Sequence, residues 1–242
     1  MASKQGTKIG FVSPAKSWGK HYDEFKALMP EGVDGDINPL GLYGDSLEEL
    51  AGKLDEHVQR TSAMASERDW KGIALMGAPM EVQNPGFVSR VREAVNIPVT
   101  TALASGAAGL RALGARKALL LTPFDDRLKG MLQEHLVGEG IEAILPTDSF
   151  EEIGHSPDQT PEKVFAIARE QLAKAPGAQG IYFQGGPFNP IQVIERMEAE
   201  FGIPVIASNP TMLWHITSIL GLSFSVEGKG RLMREWPTPV AP

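Results

Sequence analysis

The chain has 242 residues, of which 42% are hydrophobic and 22% charged, and its formal net charge is −7. These values are typical of a globular protein with a sizeable core, and the scattered Lys and Arg residues argue against nucleic acid or a membrane as its partner. The absence of cysteine excludes disulfides, zinc–thiolate sites and thiol nucleophiles. With no long apolar run and no signal-peptide pattern, we expect a cytoplasmic protein.

Short apolar runs alternate with helical patterns along the first half of the chain. Asp45 and Ser46 provide an N-cap for a long amphipathic helix, and Gly114 provides a C-cap after a helix of small residues. Strands are predicted over 8–13, 37–43, 73–76 and 97–101, and helices over 23–29, 45–67, 85–95 and 102–113.

The same alternation restarts after residue 115. Strands are predicted over 117–121, 141–145, 181–184 and 203–206, and helices over 125–139, 160–173, 190–200 and 210–220. The remaining residues contain several Gly and Pro and are predicted to be loosely held. We therefore divide the chain into a first α/β half (1–115), a second α/β half (116–222) and a C-terminal tail (223–242).

Three landmarks of the first half recur in the same order in the second half. Lys8–Pro14 and Lys117–Pro123 share the pattern K-x-x-x-x-[Ser/Thr]-Pro. Gly77 and Gly185 each follow an apolar strand and begin a Gly-x-Pro turn, and the sequence I-P-V at 97–99 recurs at 203–205. Any α/β chain can show one such match, but three in order indicate an internal duplication.

Alternating strands and helices predict the α/β class, with a parallel sheet in each of two pseudo-symmetric halves that face a central cleft. Ligands of such sheets bind beyond the carboxyl ends of the strands. We therefore expect the cleft to be lined by the loops that follow Ser13, Met76, Thr122 and Gln184.

The glycines at these strand ends indicate main-chain recognition of a ligand. Gly77 with Ala78, and Gly185 with Gly186, can present N–H groups to a carboxylate or to an enediolate formed from it. The alternative is a tight strand-to-helix turn without a ligand. The chain contains no dinucleotide-binding or P-loop motif and no group of residues with metal-ligand spacing, so we expect no cofactor and no metal.

Several segments, spread over most of the chain, resemble the aspartate/glutamate racemase superfamily, in particular its arylmalonate decarboxylase and maleate isomerase branch. They are I-G-F-V-S-P (9–14), I-A-L-M-G-A-P (73–79), I-P-V-T-T-A-L (97–103), G-L-R-A-L-G-A-R-K (109–117), L-T-P-F (121–124), G-I-Y-F-Q-G-G (180–186) and I-P-V-I-A-S-N-P (203–210). The resemblance implies the fold of that superfamily.

The resemblance also implies where the reaction would occur. Racemases and isomerases of the superfamily have a cysteine after each of two equivalent strands, and arylmalonate decarboxylases keep only the second cysteine, as the proton donor. An ungapped alignment places these positions at Gly77 and Gly185. Two-base racemisation and thiol-adduct isomerisation by the family mechanism are therefore excluded.

Further departures remove side-chain donors to a bound carboxylate. Ala78-Pro79 replaces a hydroxylated pair of the family, and Phe124 replaces the tyrosine of a Thr-Pro-Tyr motif. The predicted substrate-binding residues are Ser13, Pro14, Gly77, Ala78, Thr122, Phe124, Gln184, Gly185 and Gly186.

Any reaction then needs another acid or base near the strand ends. The candidates are Glu81, four residues after Gly77, His21 in the first loop, and His215 at the predicted start of the last helix. A surface or loop position without a catalytic role is the alternative for each. His57 and His135 fall inside predicted helices and are not counted.

Three functions fit these residues. The first is a cofactor-free lyase of the decarboxylase type, acting on a small carboxylate or dicarboxylate through an enediolate held by main-chain donors. The second is an isomerase or racemase with relocated acid/base groups, and the third is a non-catalytic carboxylate-binding protein. The expected partner is a small-molecule carboxylate, and a homo-oligomer is compatible with the sequence.

Overall fold

The structure is a computed structural model that describes residues 6–16, 19–146, 148, 150 and 159–241. The first half contains strands β1 (Thr7–Ser13), β2 (Val33–Pro39), β3 (Gly72–Leu75) and β4 (Val99–Thr101). Its helices are α1 (Lys20–Lys26), α2 (Leu54–Arg68), α3 (Ala78–Gln83), α4 (Phe87–Ala94) and α5 (Ala102–Ala112), with a 3₁₀ turn over Leu47–Leu50.

The second half repeats this order with different helix lengths. Its strands are β5 (Lys117–Leu121), β6 (Glu142–Ile144), β7 (Gly180–Phe183) and β8 (Val205–Ala207). Its helices are α6 (Asp126–Gly138), α7 (Pro161–Ala173), α8 (Ile194–Phe201) and α9 (Ser208–Ile219), followed by α10 (Arg231–Glu235) in the tail.

Each half builds one four-stranded parallel sheet. The strand orders are β2-β1-β3-β4 and β6-β5-β7-β8, so the two sheets share one topology. Phe11 at the centre of the first sheet lies opposite Ile37 and Ala74, and Leu120 in the second sheet lies opposite Tyr182. The predicted α/β class with two parallel-sheet halves is confirmed.

The last helix of each half packs against the sheet of the other half. Helix α5 contacts β7 and β8, helix α9 contacts β3 and β4, and the two helices also contact each other. Small residues allow this close approach, since a methyl group on Gly106 of α5 would lie 2.4 Å from Cζ of Tyr182. One hydrophobic cluster consequently includes residues of both halves.

Several predicted boundaries are wrong for local reasons. The predicted helix over 45–67 is two elements, because Gly52 adopts a φ of 79° between the 3₁₀ turn and α2. Ser46 and Glu49 form a capping box for the 3₁₀ turn. The second strand ends at Pro39 rather than 43, and α3 directly after Gly77 was not predicted.

The tail is not loosely held, contrary to the prediction. Helix α10 buries Leu232 and Met233, and Trp236 is 6% exposed. The indole N–H of Trp214 donates to the carbonyl oxygen of Pro237 at 3.0 Å, and Arg111 donates to that of Val240. The Gly and Pro residues of the tail shape its path, while side-chain burial fixes it.

Among the described residues, no helix combines the length and apolar character needed to cross a membrane.

Candidate active site

Each Gly-x-Pro turn begins at a glycine with a positive φ. Gly77 follows β3 with a φ of 84°, and Gly185 follows β7 with a φ of 117°. A methyl group on Gly77 would lie 2.7 Å from Cδ of Pro14, and one on Gly185 would lie 2.9 Å from Cδ of Pro123. In this chain the positive φ and the proline ring packed on each glycine disfavour any side chain at Gly77 and Gly185.

Beyond the glycine the two turns differ. Gly77 is the N-cap of α3, so the first turn becomes helix at once. After Gly185 the chain continues through Gly186, Pro187 and Phe188, and α8 begins only at Ile194. The second turn therefore leaves its main-chain groups outside regular structure.

His21 of helix α1 lies over the second turn. A methyl group on Gly186 would lie 2.7 Å from Cδ2 of His21, 3.1 Å from its Nε2 and 3.5 Å from Nδ2 of Asn209. The Nδ1 edge of the ring faces Gly19, so the Nε2 edge faces the turn. Burial lowers the pKa of His21 to about 4, an effect that Asp23 partly opposes, so the free ring is neutral at pH 7.

Helix α1 is attached both to its own half and to the other. The hydroxyl of Tyr22 donates to Oγ of Ser13 at 2.7 Å, and burial raises the pKa of Tyr22 to about 12. Glu24 accepts hydrogen bonds from Nδ2 of Asn189 and, at 3.0 Å, from Nε2 of Gln192. The cavity beside Gly185 and Gly186 measures about 10 Å³ and is lined by residues at the ends of β7 and β8 and after them.

The other predicted binding residues lie around the same strand ends. The Thr122 side chain is fully buried, and its hydroxyl has no hydrogen-bond partner among the described residues. The ring of Phe124 would lie 3.4 Å from a methyl group on Gly185. Gln184 is also buried, and its side-chain oxygen contacts the hydroxyl of Tyr182, which lies 2.7 Å from the carbonyl oxygen of Ala102.

Glu81 lies in a different environment from these residues. Its side chain is 9% exposed, and its Oε1 lies 3.5 Å from Nε2 of His135 on α6. Burial raises the pKa of Glu81 to about 7, helped by Glu139 and opposed by the Thr101 side chain and Arg92. The carboxyl group lines a separate cavity of about 380 Å³.

His215 lies in the interior of α9, the eighth of its twelve residues, so its predicted place at the helix start is wrong. Its Nδ1 is 2.7 Å from Oγ1 of Thr100, the middle residue of β4, and its ring stacks on Trp214. Burial, with Arg111 and Arg92 nearby, lowers the pKa of His215 to about 4. These contacts make His215 part of the packing between the halves.

Several neighbours of the site were not predicted from the sequence. Three residues near the turns were not named as site residues, and they are Pro123, Tyr22 and Asn209. Pro123 is the duplicate of Pro14, which was named. His135 lies inside a helix, as predicted, but its ring also faces Glu81. Within the described part of the chain, no cluster of three His, Asp or Glu residues could hold a metal ion.

A family model described as arylmalonate decarboxylase matches residues 9–233, nearly the whole chain. The chain belongs to the arylmalonate decarboxylase family. Arylmalonate decarboxylase of Bordetella bronchiseptica is 27% identical over 212 residues, which is 83% of each protein. Maleate isomerase of Nocardia farcinica is 32% identical over 169 residues, covering 64% of this chain and 65% of the isomerase.

Solved structures of this family share the fold. A liganded arylmalonate decarboxylase variant, with one Gly→Cys and one Cys→Ser change, superimposes with a TM-score of 0.79 at 22% identity, covering 94% of this chain and 99% of that one. The Nocardia farcinica maleate cis-trans isomerase bound to TRIS gives a TM-score of 0.78 at 24% identity, covering 94% and 98%. A mutant of the same isomerase holds a covalent succinylcysteine intermediate.

Proposed function

We propose that this protein is a cofactor-free lyase of the decarboxylase type that acts on a small dicarboxylate and uses His21 in place of a cysteine as its proton donor. Membership of the arylmalonate decarboxylase family supports the reaction class. The chain has no thiol, so a proton cannot come from cysteine and no cysteine adduct can form.

The position of His21 carries this proposal. Its ring lies over Gly186, the residue after Gly185, and Gly185 occupies the cysteine position of the family in our alignment. A histidine at this point can deliver a proton to the same region of the site from the opposite wall. Nδ2 of Asn209 supplies a further hydrogen-bonding group beside the same glycine.

The second turn supplies the carboxylate site in this proposal. The N–H groups of Gly185 and Gly186 donate to the carboxylate that the product retains, and the developing enediolate strengthens those bonds. Phe124 and Phe188 form an apolar wall near Gly185, and an apolar wall favours loss of the charged group as neutral CO₂.

The proposed step conserves atoms and charge. The bond between the α-carbon and one carboxylate breaks, CO₂ leaves, and the electron pair stays on the α-carbon as the enediolate of the other carboxylate. The imidazolium of His21 then donates its proton to the α-carbon, and solvent reprotonates the neutral ring. A dianionic substrate raises the pKa of His21 by its opposite charge, which produces the imidazolium that this step needs.

Because the ring of His21 lies over Gly186, this proposal needs His21 to move aside, within its helix or with it, when the substrate enters. The present cavity of about 10 Å³ is far smaller than a dicarboxylate. Such a movement would break and re-form the hydrogen bonds that Glu24 of α1 accepts from Asn189 and Gln192.

Proton NMR in D₂O tests the function directly. The protein is incubated with methylmalonate, phenylmalonate, maleate and amino or hydroxy diacids. A lyase converts a malonate to the monocarboxylate with one deuteron on the α-carbon. Exchange of the α-hydrogen without loss of carboxylate would instead indicate a racemase, and cis–trans conversion of maleate an isomerase. Line broadening without turnover across the panel would indicate a binding protein.

Two variants test the donor. His21→Gln keeps a hydrogen-bonding side chain but cannot become a cationic acid, so we expect turnover to fall by about 10²–10⁴-fold. Lys26→Gln is the matched control on the same helix, because Lys26 is exposed, and it should leave turnover unchanged. Full turnover in His21→Gln would remove His21 from the mechanism while leaving the lyase assignment intact.

A further inference from the structure

A second cavity lies away from the two Gly-x-Pro turns. It measures about 380 Å³, opens to the surface and is lined by residues from α3 to α4 and from α6, so it lies between the first half and the second. Its apolar wall is formed by Val82, Pro85, Phe87, Val88 and Met131. Cavities of this size bind small organic molecules in other proteins.

Two side chains that line this cavity each have a buried polar atom without a hydrogen bond to a described residue. These atoms are Oε2 of Glu81 and Nε2 of His135, and the latter lies 3.5 Å from the other carboxyl oxygen of Glu81, Oε1. A buried carboxylate oxygen or imidazole nitrogen without a partner costs free energy. A ligand that donates hydrogen bonds to both atoms would remove this cost. Such a ligand would lie between α3, which carries Glu81, and α6, which carries His135.

We infer that this cavity is a binding site for a small organic ammonium ion with an apolar body, which would donate to Glu81 and His135. Glu134 also lines the cavity, and no Lys or Arg is among its described lining residues. The carboxylates of Glu81 and Glu134 favour a cation and disfavour the anionic substrates of the other site. The valine, proline, phenylalanine and methionine side chains accept the apolar body.

The charge state of Glu81 agrees with this class of ligand. Burial holds its pKa at about 7 without a ligand, with Glu139 acting in the same direction and Thr101 and Arg92 opposing. Burial also lowers the pKa of His135, so its ring is neutral and can accept a hydrogen bond. An ammonium ion beside Glu81 favours the carboxylate, and binding therefore releases protons near neutral pH.

The test uses benzylamine as the cation, with benzyl alcohol and benzoate as neutral and anionic molecules of similar shape. Each is titrated at pH 8 into the full-length protein labelled at its Met methyl groups, and the Met131 signal is followed by NMR. Benzylamine should shift the Met131 signal saturably and bind about tenfold or more tightly than benzyl alcohol. Benzoate should leave the signal unchanged.

Variants separate this site from nonspecific attraction to an acidic protein. Glu81→Gln keeps the shape of the side chain and should weaken benzylamine binding by about tenfold or more. Glu142→Gln, at an exposed carboxylate of β6, is the matched control and should bind like the wild type. Val88→Trp fills the cavity and should abolish binding of benzylamine and benzyl alcohol alike.

Equal binding of all three probes, equal weakening by Glu81→Gln and Glu142→Gln, or an unshifted Met131 signal at saturating benzylamine would overturn the inference. None of these outcomes depends on turnover, so the proposed lyase activity stands or falls separately.

Discussion

The two Gly-x-Pro turns are copies that have kept one geometry and acquired different surroundings. Pro14 packs on Gly77 as Pro123 packs on Gly185, and both glycines have a positive φ. The first turn runs directly into α3, whereas the second remains open chain beneath the ring of His21. The duplicated scaffold therefore supplies two similar strand ends, and the second has a titratable side chain, His21, against it.

The fourth residue after each glycine shows the same divergence. Glu81 in the first half is a buried acid facing His135, and Asn189 in the second half is an amide that binds Glu24 of α1. The first position faces a cavity, and the second secures the helix that carries His21. The chemistry of the two halves has thus separated, although their sheets have one topology.

The largest stability effect is expected at the first turn. Gly77→Ala should lower the free energy of unfolding by about 2–4 kcal/mol, because it adds both left-handed strain and a methyl group 2.7 Å from Pro14. Gly32→Ala is the matched control, since Gly32 has a φ of 89° with no heavy atom within 4 Å of the added methyl. It should cost only about 1–2 kcal/mol in urea unfolding. Equal losses would show that the proline contact has no energetic role.

Glu81→Gln should remove a pH-dependent cost that the equivalent residue of the second half, Asn189, does not have. The folded pKa of about 7 lies above the ordinary value of 4.5, so the folded state retains the proton longer and wild-type stability falls as pH rises between these values. Such a difference corresponds to at most about 3 kcal/mol. Urea unfolding should therefore show that the free energy of unfolding of the variant, relative to the wild type, increases from pH 4 to pH 8. A constant difference across this range would contradict the raised pKa.

Gly106→Ala tests the contact between the halves. Alanine usually stabilises a helix interior relative to glycine, but here its methyl would lie 2.4 Å from the ring of Tyr182. We expect a loss of about 1–3 kcal/mol in thermal or urea unfolding. Gly130→Ala on α6 is the control, because no heavy atom lies within 4 Å of the added methyl group. It should raise the free energy of unfolding by about 0.5–1 kcal/mol. A gain in both variants would mean that the halves separate easily at this point.

The smallest effect is expected for Tyr22→Phe, which makes the end of β1 resemble the end of β5. Oγ of Ser13 loses the hydroxyl of Tyr22, whereas Thr122 at the equivalent position already has no partner among the described residues. The loss should be about 1 kcal/mol by urea unfolding. An unchanged midpoint would indicate that water replaces the hydroxyl without cost.

The duplication and the family were readable from the sequence because both depend on local pattern. Gly-x-Pro after an apolar run indicates a backbone position with a positive φ beneath a proline ring, which glycine adopts most readily. Matched landmarks in order then implied two equal sheets, and the strand ends implied where a ligand would lie. The loss of cysteine at Gly77 and Gly185 needed only an alignment.

Only the tertiary structure decided which side chains meet. The sequence named three candidate acids or bases, which are His21, Glu81 and His215. In the structure, helix α1 brings His21 to the second turn. Helix α6 places His135 against Glu81, and Thr100 of β4 contacts His215. These contacts join residues far apart in the chain, and the helices that make them have no short-range signal for where they dock. Local pattern determines strands, turns and their repetition, whereas burial and docking between the halves determine the environment of each acid and base.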